Sequence, residues 1–301
     1  MVFRRTKLTA GMTILLVLAC TWQTDDTRTN LHPRKLGLAG RHTEQRDLWW
    51  SNILSKHEAL KAAQAKVRRR AESNEFRSYG MKTAYDFVEP VVSCTDEVRF
   101  GSQIFNVGDG PKWVCGPQIL KDTPECLIYS VGSDWNFQFE DAITKVAPKC
   151  EIHVFDGTMN LTTRPLPSLT PNLKFHNLNV ISECEEESAA KFSSKCVQNI
   201  LHDLGHDKRT ITWFKIDCEG CEYSVLPEML KRAASIDEVF VEVHGTDPAR
   251  INKLLQQLDE SNLFVYHKER NHWGCDGYKC LELSLITIQH ARKVYDATFP
   301  G

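Results

Sequence analysis

The run Lys215-Ile216-Asp217-Cys218-Glu219-Gly220-Cys221-Glu222-Tyr223 carries more polar chemistry than packing requires. It follows the apolar segment Ile211 to Ile216, which reads as a buried strand, and opens a helix. Asp217 therefore leaves the strand at its carboxyl end, where α/β sheets bind ligands, and Gly220 permits the turn. Lys215 is expected to pair with a carboxylate. Three other strand ends carry matching chemistry. Gly132, Ser133 and Asp134 follow Leu127 to Val131. A glycine there lets the backbone approach a ligand, and the next helix offers free N–H groups. A tight turn is the bland alternative. Asp156 follows Ile152 to Phe155, 24 residues beyond Gly132, a position from which a carboxylate can accept hydrogen bonds from both ribose hydroxyls of a nucleoside. Asn179, with Ser182 and Glu183, follows a third strand and could meet an adenine edge.

His244, in Val241-Glu242-Val243-His244-Gly245, suits general-base work because imidazole titrates near neutrality. A strand-end histidine bonded to backbone is the alternative. Asp217, Glu242 and His244 could also form an oxygen and nitrogen metal site, although the preferred reading assigns no metal. The acidic residues Glu183, Glu185, Glu186 and Glu187 read as a solvated helix start favoured by the helix dipole.

The elements that must position these residues alternate. Strands are predicted at Val98 to Phe105, Leu127 to Val131, Ile152 to Phe155, Leu173 to Val180, Ile211 to Ile216, Val239 to Val243, Leu263 to Tyr266 and Leu283 to Ile288. Helices are predicted at Phe137 to Val146, Cys184 to Leu204, Tyr223 to Ala234 and Ala249 to Leu258. Gly108 to Pro117 reads as a turn-rich loop holding Trp113. Strand, helix, strand at this spacing gives a parallel sheet covered on both faces. The last two strands leave no room for a helix between them, so they should pair antiparallel. An N-terminal helix from Glu44 to about Phe76 carries Leu48, Trp49, Ile53, Leu60, Ala63 and Val67 near helical spacing. It ends in Arg68, Arg69 and Arg70, read as a solvated basic face.

Lys215-Ile216-Asp217-Cys218-Glu219-Gly220, followed by Glu222 and Leu226, resembles the signature of FkbM-type S-adenosylmethionine-dependent methyltransferases. Trp113-Val114-Cys115, Tyr129-Ser130-Val131-Gly132 and Val154-Phe155-Asp156 look like the metazoan methyltransferase-like protein twenty-four group. The resemblance covers about Ser93 to Ile288. It implies a class I methyltransferase-like Rossmann sheet, mostly parallel with an antiparallel last strand, here preceded by an N-terminal helix. The implied cofactor is S-adenosylmethionine. Gly132, Ser133 and Asp134 would lie near its methionine part and Asp156 on its ribose. Asp217 and Glu219 would stand near the reacting methyl or the acceptor. The chain departs from the usual glycine-rich turn in keeping only Gly132, followed by Trp135 and Asn136.

Lys and Arg number 37 and Asp and Glu 39, a formal charge of -2, so no broad positive field points to nucleic acid. Basic Arg4, Arg5 and Lys7 precede an apolar run from Leu8 to Trp22, about 15 residues, shorter than the ~20 that span a bilayer. Residues 1–22 therefore read as a signal peptide or signal-anchor, with membrane contact through residues 8–22. Residues 23–43 read as a linker or stem, 44–80 as a helical segment and 81–301 as the methyltransferase-like domain. Ten cysteines beyond Cys20, and the sequon Asn160-Leu161-Thr162, fit a secretory-pathway protein that is secreted or faces the lumen. Cysteine connectivity is not legible. Other readings are a luminal thiol oxidoreductase using Cys218 and Cys221, a zinc site from Cys218, Cys221, Cys275 and Cys280, and a non-catalytic binding domain on this fold. The acceptor, whether a small molecule, glycan or protein, is not readable. Trp135, Trp273 and Tyr278 are candidates to line its pocket, and the loop from Cys275 to Cys280 to cover the cleft.

Overall fold

The structure is a computed structural model that describes residues 38–72, 84–102, 108–123, 125–184, 193–277 and 279–299. The apolar run 8–22, Glu185 to Glu187 and Tyr278 lie outside the described residues. The chain divides into a unit ending at Gln45 and a compact unit, Arg46–Gly301, which is the subject below.

In chain order the elements are α1 (Leu38–Glu72), β1 (Glu97–Phe100), β2 (Lys112–Cys115), β3 (Leu127–Val131), α2 (Gln138–Val146), β4 (Glu151–Phe155), β5 (Leu173–His176), β6 (Asn179–Ile181) and β7 (Ser194–Cys196). They continue with α3 (Val197–Asp203), β8 (Thr210–Ile216), α4 (Glu222–Arg232), β9 (Ser235–His244), α5 (Pro248–Asp259), β10 (Leu263–Arg270), β11 (Cys280–Thr287) and α6 (Ile288–Thr298). Seven strands form one sheet in the order β10-β11-β9-β8-β3-β4-β5. Within it only β11 runs antiparallel to its neighbours. This is the expected mixed α/β sheet. The antiparallel strand follows from the short β10–β11 connection, which has no room for a crossover helix.

The sheet is apolar on both faces because both are covered. Every residue of β3 is buried, and only Thr210 is exposed in β8. Side chains alternate with the strand period. Leu127, Tyr129 and Val131 meet Val225 of α4 and Ile251 of α5 on one face, and Ile128 meets Ile143 of α2 on the other. Five disulfides pair Cys94 with Cys115, Cys126 with Cys150, Cys184 with Cys196, Cys218 with Cys221 and Cys275 with Cys280. No helix among the described residues is long and apolar enough to cross a membrane.

Several local expectations change. The segment Leu173 to Val180 is not one strand: β5 ends at His176, and β6 pairs with β7 in a separate two-stranded sheet. The helix expected from Cys184 is the shorter α3, because Ser194 to Cys196 pairs as β7. The segment read as a loop around Trp113 holds β2, paired antiparallel with β1. A final helix, α6, follows β11 without a break. In α1 the stripe read as apolar is partly solvent-facing: Leu48, Trp49, Leu60 and Val67 are exposed, while Trp50, Lys61, Ala65 and Arg68 are buried. Arg68 is not solvated but paired with Asp259 of α5.

Candidate cofactor and acceptor cleft

The sheet order reverses between β3 and β8, and the cleft lies at their carboxyl ends. The two strand exits are locked together. Asp217 N–H donates to Val131 O at 2.9 Å, and Gly132 N–H to Phe155 O at 2.9 Å. Gly132 has φ +84°, and a Cβ there would stand 1.7 Å from Asp217 O, so no other residue fits this close crossing. The resulting cavity measures about 560 Å³, inside the range of small-molecule sites. Gly132, Ser133, Asp134, Asp156, Asn179, Asp217 and Glu219 all line it, so the structure brings together seven of the eight residues singled out in the sequence. The eighth, His244, sits behind the wall, with Nε2 3.8 Å from Asp217 Oδ1.

At one end, Asp156 organises the turn after β3. Its Oδ2 accepts from Ser133 N–H at 2.9 Å and Asp134 N–H at 2.8 Å. Its Oδ1 accepts from Thr158 N–H at 2.9 Å and Thr158 Oγ1 at 2.6 Å, and Ser133 Oγ lies 3.3 Å from Oδ2. Burial alone would raise its pKa, but these donors hold it below the usual carboxylate value. Asp156 is thus not the open acceptor expected from sequence. Two rotatable hydroxyls occupy positions that ligand hydroxyls could take. Phe155, Leu178, Val180 and Ile181 add apolar wall on this side.

At the other end, charge is concentrated. Glu242 of β9 and Glu282 of β11 are register partners, and like charges directly opposite repel. Lys112 of β2, 2% exposed, is driven between them. Its Nζ pairs with Glu282 Oε1, lies 3.0 Å from Asp217 Oδ2 and 3.7 Å from Glu242 Oε2. Burial works against the charges of Lys112 and Asp217. The three carboxylates nevertheless hold Lys112 well above its ordinary value, and Lys112 with Lys215 holds Asp217 well below the carboxylate range. Burial, with repulsion from Glu282 and Asp217, pushes Glu242 up to about 8. Burial likewise raises Glu282. His244 Nδ1 lies 3.3 Å from Glu222 Oε1. Burial would lower its pKa, but the bond to Glu222 and the charges of Glu222, Glu242 and Glu219 carry it up to about 9. His244 is therefore not a free base at neutral pH, unlike the sequence expectation. Tyr85 O–H donates to Val243 O at 2.8 Å, and Tyr223 O–H donates to His244 O, so the end of β9 is held from two sides.

Lys215 donates to Gly132 O rather than to a carboxylate. Asn271 Nδ2 donates to Glu242 Oε1 at 2.8 Å, and Asn271, Gly274 and Cys275 form part of the cleft wall; of the loop expected to cover the cleft, Cys275 to Cys280, Cys275 alone among the described residues lines it. Trp135 lies under Arg164 at 4.6 Å, and Trp273 is exposed; neither lines the cleft. Cys218 and Cys221 line the cleft as a disulfide. The sulfurs of Cys275 and Cys280 approach Glu242 and His244 within 4.8 Å but are joined to each other. Lys112 and Glu282 are the members that sequence reading left unassigned, and Glu242 entered it only as an alternative metal ligand. A signal was present in Val241-Glu242-Val243 and Leu281-Glu282-Leu283, lone carboxylates inside apolar strands, which must find a buried partner.

A doubly wound sheet with a cavity of about 560 Å³ at its switch point, acidic at one end, is an α/β architecture built to bind a small ligand there. A sequence profile described as "Methyltransferase domain" matches residues 40–287, and the chain belongs to this family. No curated protein matches the chain at a significant level. Among solved structures it is similar to the fibrillarin pre-rRNA processing protein of Methanococcus jannaschii (9% identity, 57% of this chain, 73% of that one, TM-score 0.35). It is also similar to the 1,6-didemethyltoxoflavin-N1-methyltransferase of Burkholderia thailandensis, solved with S-adenosylhomocysteine (11% identity, 55% and 72%, TM-score 0.31). A third is the precorrin-6y C5,15-methyltransferase of Geobacter metallireducens (10% identity, 56% and 84%, TM-score 0.31).

Proposed function

We propose that the cleft binds S-adenosylmethionine and that the chain transfers its methyl group to an oxygen or nitrogen of an acceptor. The observation that carries this is the convergence of Gly132, Ser133, Asp156, Asn179 and Asp217 on one cavity at the switch point. The donor set fits the cofactor. Asp156 would exchange the hydroxyls of Thr158 and Ser133 for those of the ribose, while Phe155, Leu178 and Val180 would flank the adenine and Asn179 would meet its edge. Gly132 and Asp134 would face the methionine part. When bound, the cofactor supplies a methyl on a sulfonium sulfur, whose cationic charge suits the acidic end of the cleft.

The chain's own part is alignment, which turns a two-body encounter into an oriented one. The bound cofactor would supply the methyl and keep the electron pair on its sulfur, and the acceptor's proton would have to leave to a group of this chain. Glu242, in the wall, is the carboxylate placed to take it when ionised, and because burial and its acidic neighbours push it up to about 8, the rate should rise with pH toward that value. Asp217, bound to Lys112, and His244, bound to Glu222, fix charge beside the reacting centre, with Glu219 at the rim. The fine resemblance to FkbM-type enzymes supports the same assignment. A luminal or secreted setting is supported by the five disulfides, which persist in oxidising compartments. Calorimetric titration with S-adenosylmethionine tests the reading. Saturable one-to-one binding, weakened by replacing Asn179 with Leu, is expected. No heat and no thermal shift at millimolar cofactor would instead favour a binding domain that has lost the cofactor.

A further inference from the structure

Of the disulfides among the described residues, Cys218–Cys221 is the one with neither cysteine buried. Each of the other four has at least one in the core: Cys115, Cys126 with Cys150, Cys196 and Cys280. Cys218 and Cys221 are half-buried, and both line the cleft. We propose that this pair is a site of thiol exchange, opened by a low-molecular-weight thiol that enters the cleft, and that its closed form holds the cleft wall in shape.

Three observations carry the site besides its accessibility. The first is loop size. The two cysteines are 3 residues apart, against 5, 12, 21 and 24 in the other pairs. A cross-link that closes a small loop removes the least freedom from the unfolded chain, so this pair is the one the fold needs least. The second is the backbone between the cysteines. Glu219 has φ +55° and Gly220 φ +115°, and the left-handed region is costly for a residue that carries a Cβ. The closed pair holds that turn, and opening it releases Glu219. The third is what stands beside the sulfurs. Cys218 Sγ lies 3.7 Å from Oε2 of the fully buried Glu222. A disulfide sulfur has no hydrogen to give, so this contact becomes a hydrogen bond only when Cys218 is a thiol. Cys221 directly precedes α4, where free N–H groups and the helix dipole favour a departing thiolate.

These placements set the direction of exchange. A thiolate of the reagent bonds to Cys218 Sγ, and the sulfur–sulfur electron pair leaves on Cys221, which takes a proton. A second thiolate attacks the reagent's sulfur in the mixed disulfide, and Cys218 leaves with the electron pair and takes the second proton, beside Glu222. Two thiols are oxidised to one disulfide, and the protein pair is reduced to two thiols. A cavity of about 560 Å³ admits a small thiol rather than a protein loop. The exchange site stands on this geometry alone. Its effect on the cofactor rests on the methyl-transfer reading: Asp217 and Glu219, on either side of Cys218, both line the cleft, so release of the turn should loosen the cofactor.

The test equilibrates the full chain in glutathione buffers of graded ratio, traps free thiols by alkylation and maps them by mass spectrometry. Cys218 and Cys221 should open together while the other four pairs stay closed, because structural disulfides resist the glutathione pool. Calorimetry should then show S-adenosylmethionine bound at least about fivefold more weakly by the opened chain, the lower end of coupling between sites. A double variant, Cys218→Ser with Cys221→Ser, should match the opened chain and no longer respond to glutathione. A pair that stays closed, or opens only along with the others, overturns the site. Equal affinity in the two states overturns its hold on the cleft. Selective opening with no cofactor bound in either state supports the exchange site and sinks the methyl-transfer reading instead.

Discussion

Two buried polar clusters flank the β3–β4–β8 part of the sheet, and they are built on opposite balances. At the amino end of β4, Glu151 receives Lys174 at 2.6 Å, Arg209 at 2.6 Å and His153 Nε2 at 3.0 Å. His153 Nδ1 meets His176 Nε2 at 2.8 Å, and Tyr129 O–H meets His206 Nδ1 at 2.7 Å. Each of these groups has a partner, and basic groups outnumber the one carboxylate. At the carboxyl ends, around Lys112, carboxylates outnumber cations, and His244 Nε2 and Glu282 Oε2 lack hydrogen-bond partners among the described residues, although Glu219 Oε2 stands 3.5 Å from the ring nitrogen. The histidines respond in opposite senses: burial pushes His153 down to about 4, whereas His244 rises to about 9 against its burial. A satisfied cluster fastens the fold. An unsatisfied one, open to a cavity, is poised for something not yet bound.

The largest effect that separates the clusters should come from Lys112→Met. Removing the cation from among Asp217, Glu242 and Glu282 leaves buried carboxylates unpaired, a cost of about 3–5 kcal/mol. Urea unfolding measures it, and a loss under about 1 kcal/mol would show that the cluster is not held by that charge. Next is Asp156→Ala, which strands the buried N–H group of Ser133 at about 1–3 kcal/mol and frees the part-buried one of Asp134 to water at less. Stability and cofactor affinity should fall together; affinity lost with full stability would assign Asp156 to the ligand alone. The satisfied cluster predicts an acid limit. His153, His176 and His206 are all held below 6.5, chiefly by burial. The unfolded chain therefore binds protons that the native state refuses, so stability present above pH 6.5 declines from pH 6.5 toward 4. Replacing His153 with Gln should flatten that slope, and an unchanged slope would move the cause elsewhere. Smallest is Glu219→Gln, which should alter stability by no more than about 0.5 kcal/mol, because the side chain is exposed.

The sheet was legible because its strands are short apolar runs separated by helical periods. The seven central strands, and the antiparallel end, follow from spacing and burial alone. The cleft was legible from strand ends, where Gly132, Asp156 and Asp217 fall by chain order. The second cluster was only half legible. Glu242 and Glu282 stand out within apolar strands, but Lys112 lies in a stretch dense in glycine and proline that hides β2. Nothing local says that a lysine from there reaches two strands distant in sequence. The same holds for α1: its periodicity marks Leu48 and Trp49, yet the buried face is set by Trp50, Lys61 and Arg68, whose partners Leu263 O and Asp259 lie some two hundred residues away. Asp156 was placed correctly on the cleft, but its commitment to Ser133, Asp134 and Thr158 depends on turn geometry that composition does not encode.

The most direct measurement is a crystal structure of the chain grown with S-adenosylhomocysteine. The adenosyl group should lie between Gly132 and Asn179, with the ribose hydroxyls on Asp156 and the sulfur toward Asp217. A ligand bound elsewhere, or a cleft that stays closed to it while Thr158 keeps its bond to Asp156, would contradict the assignment.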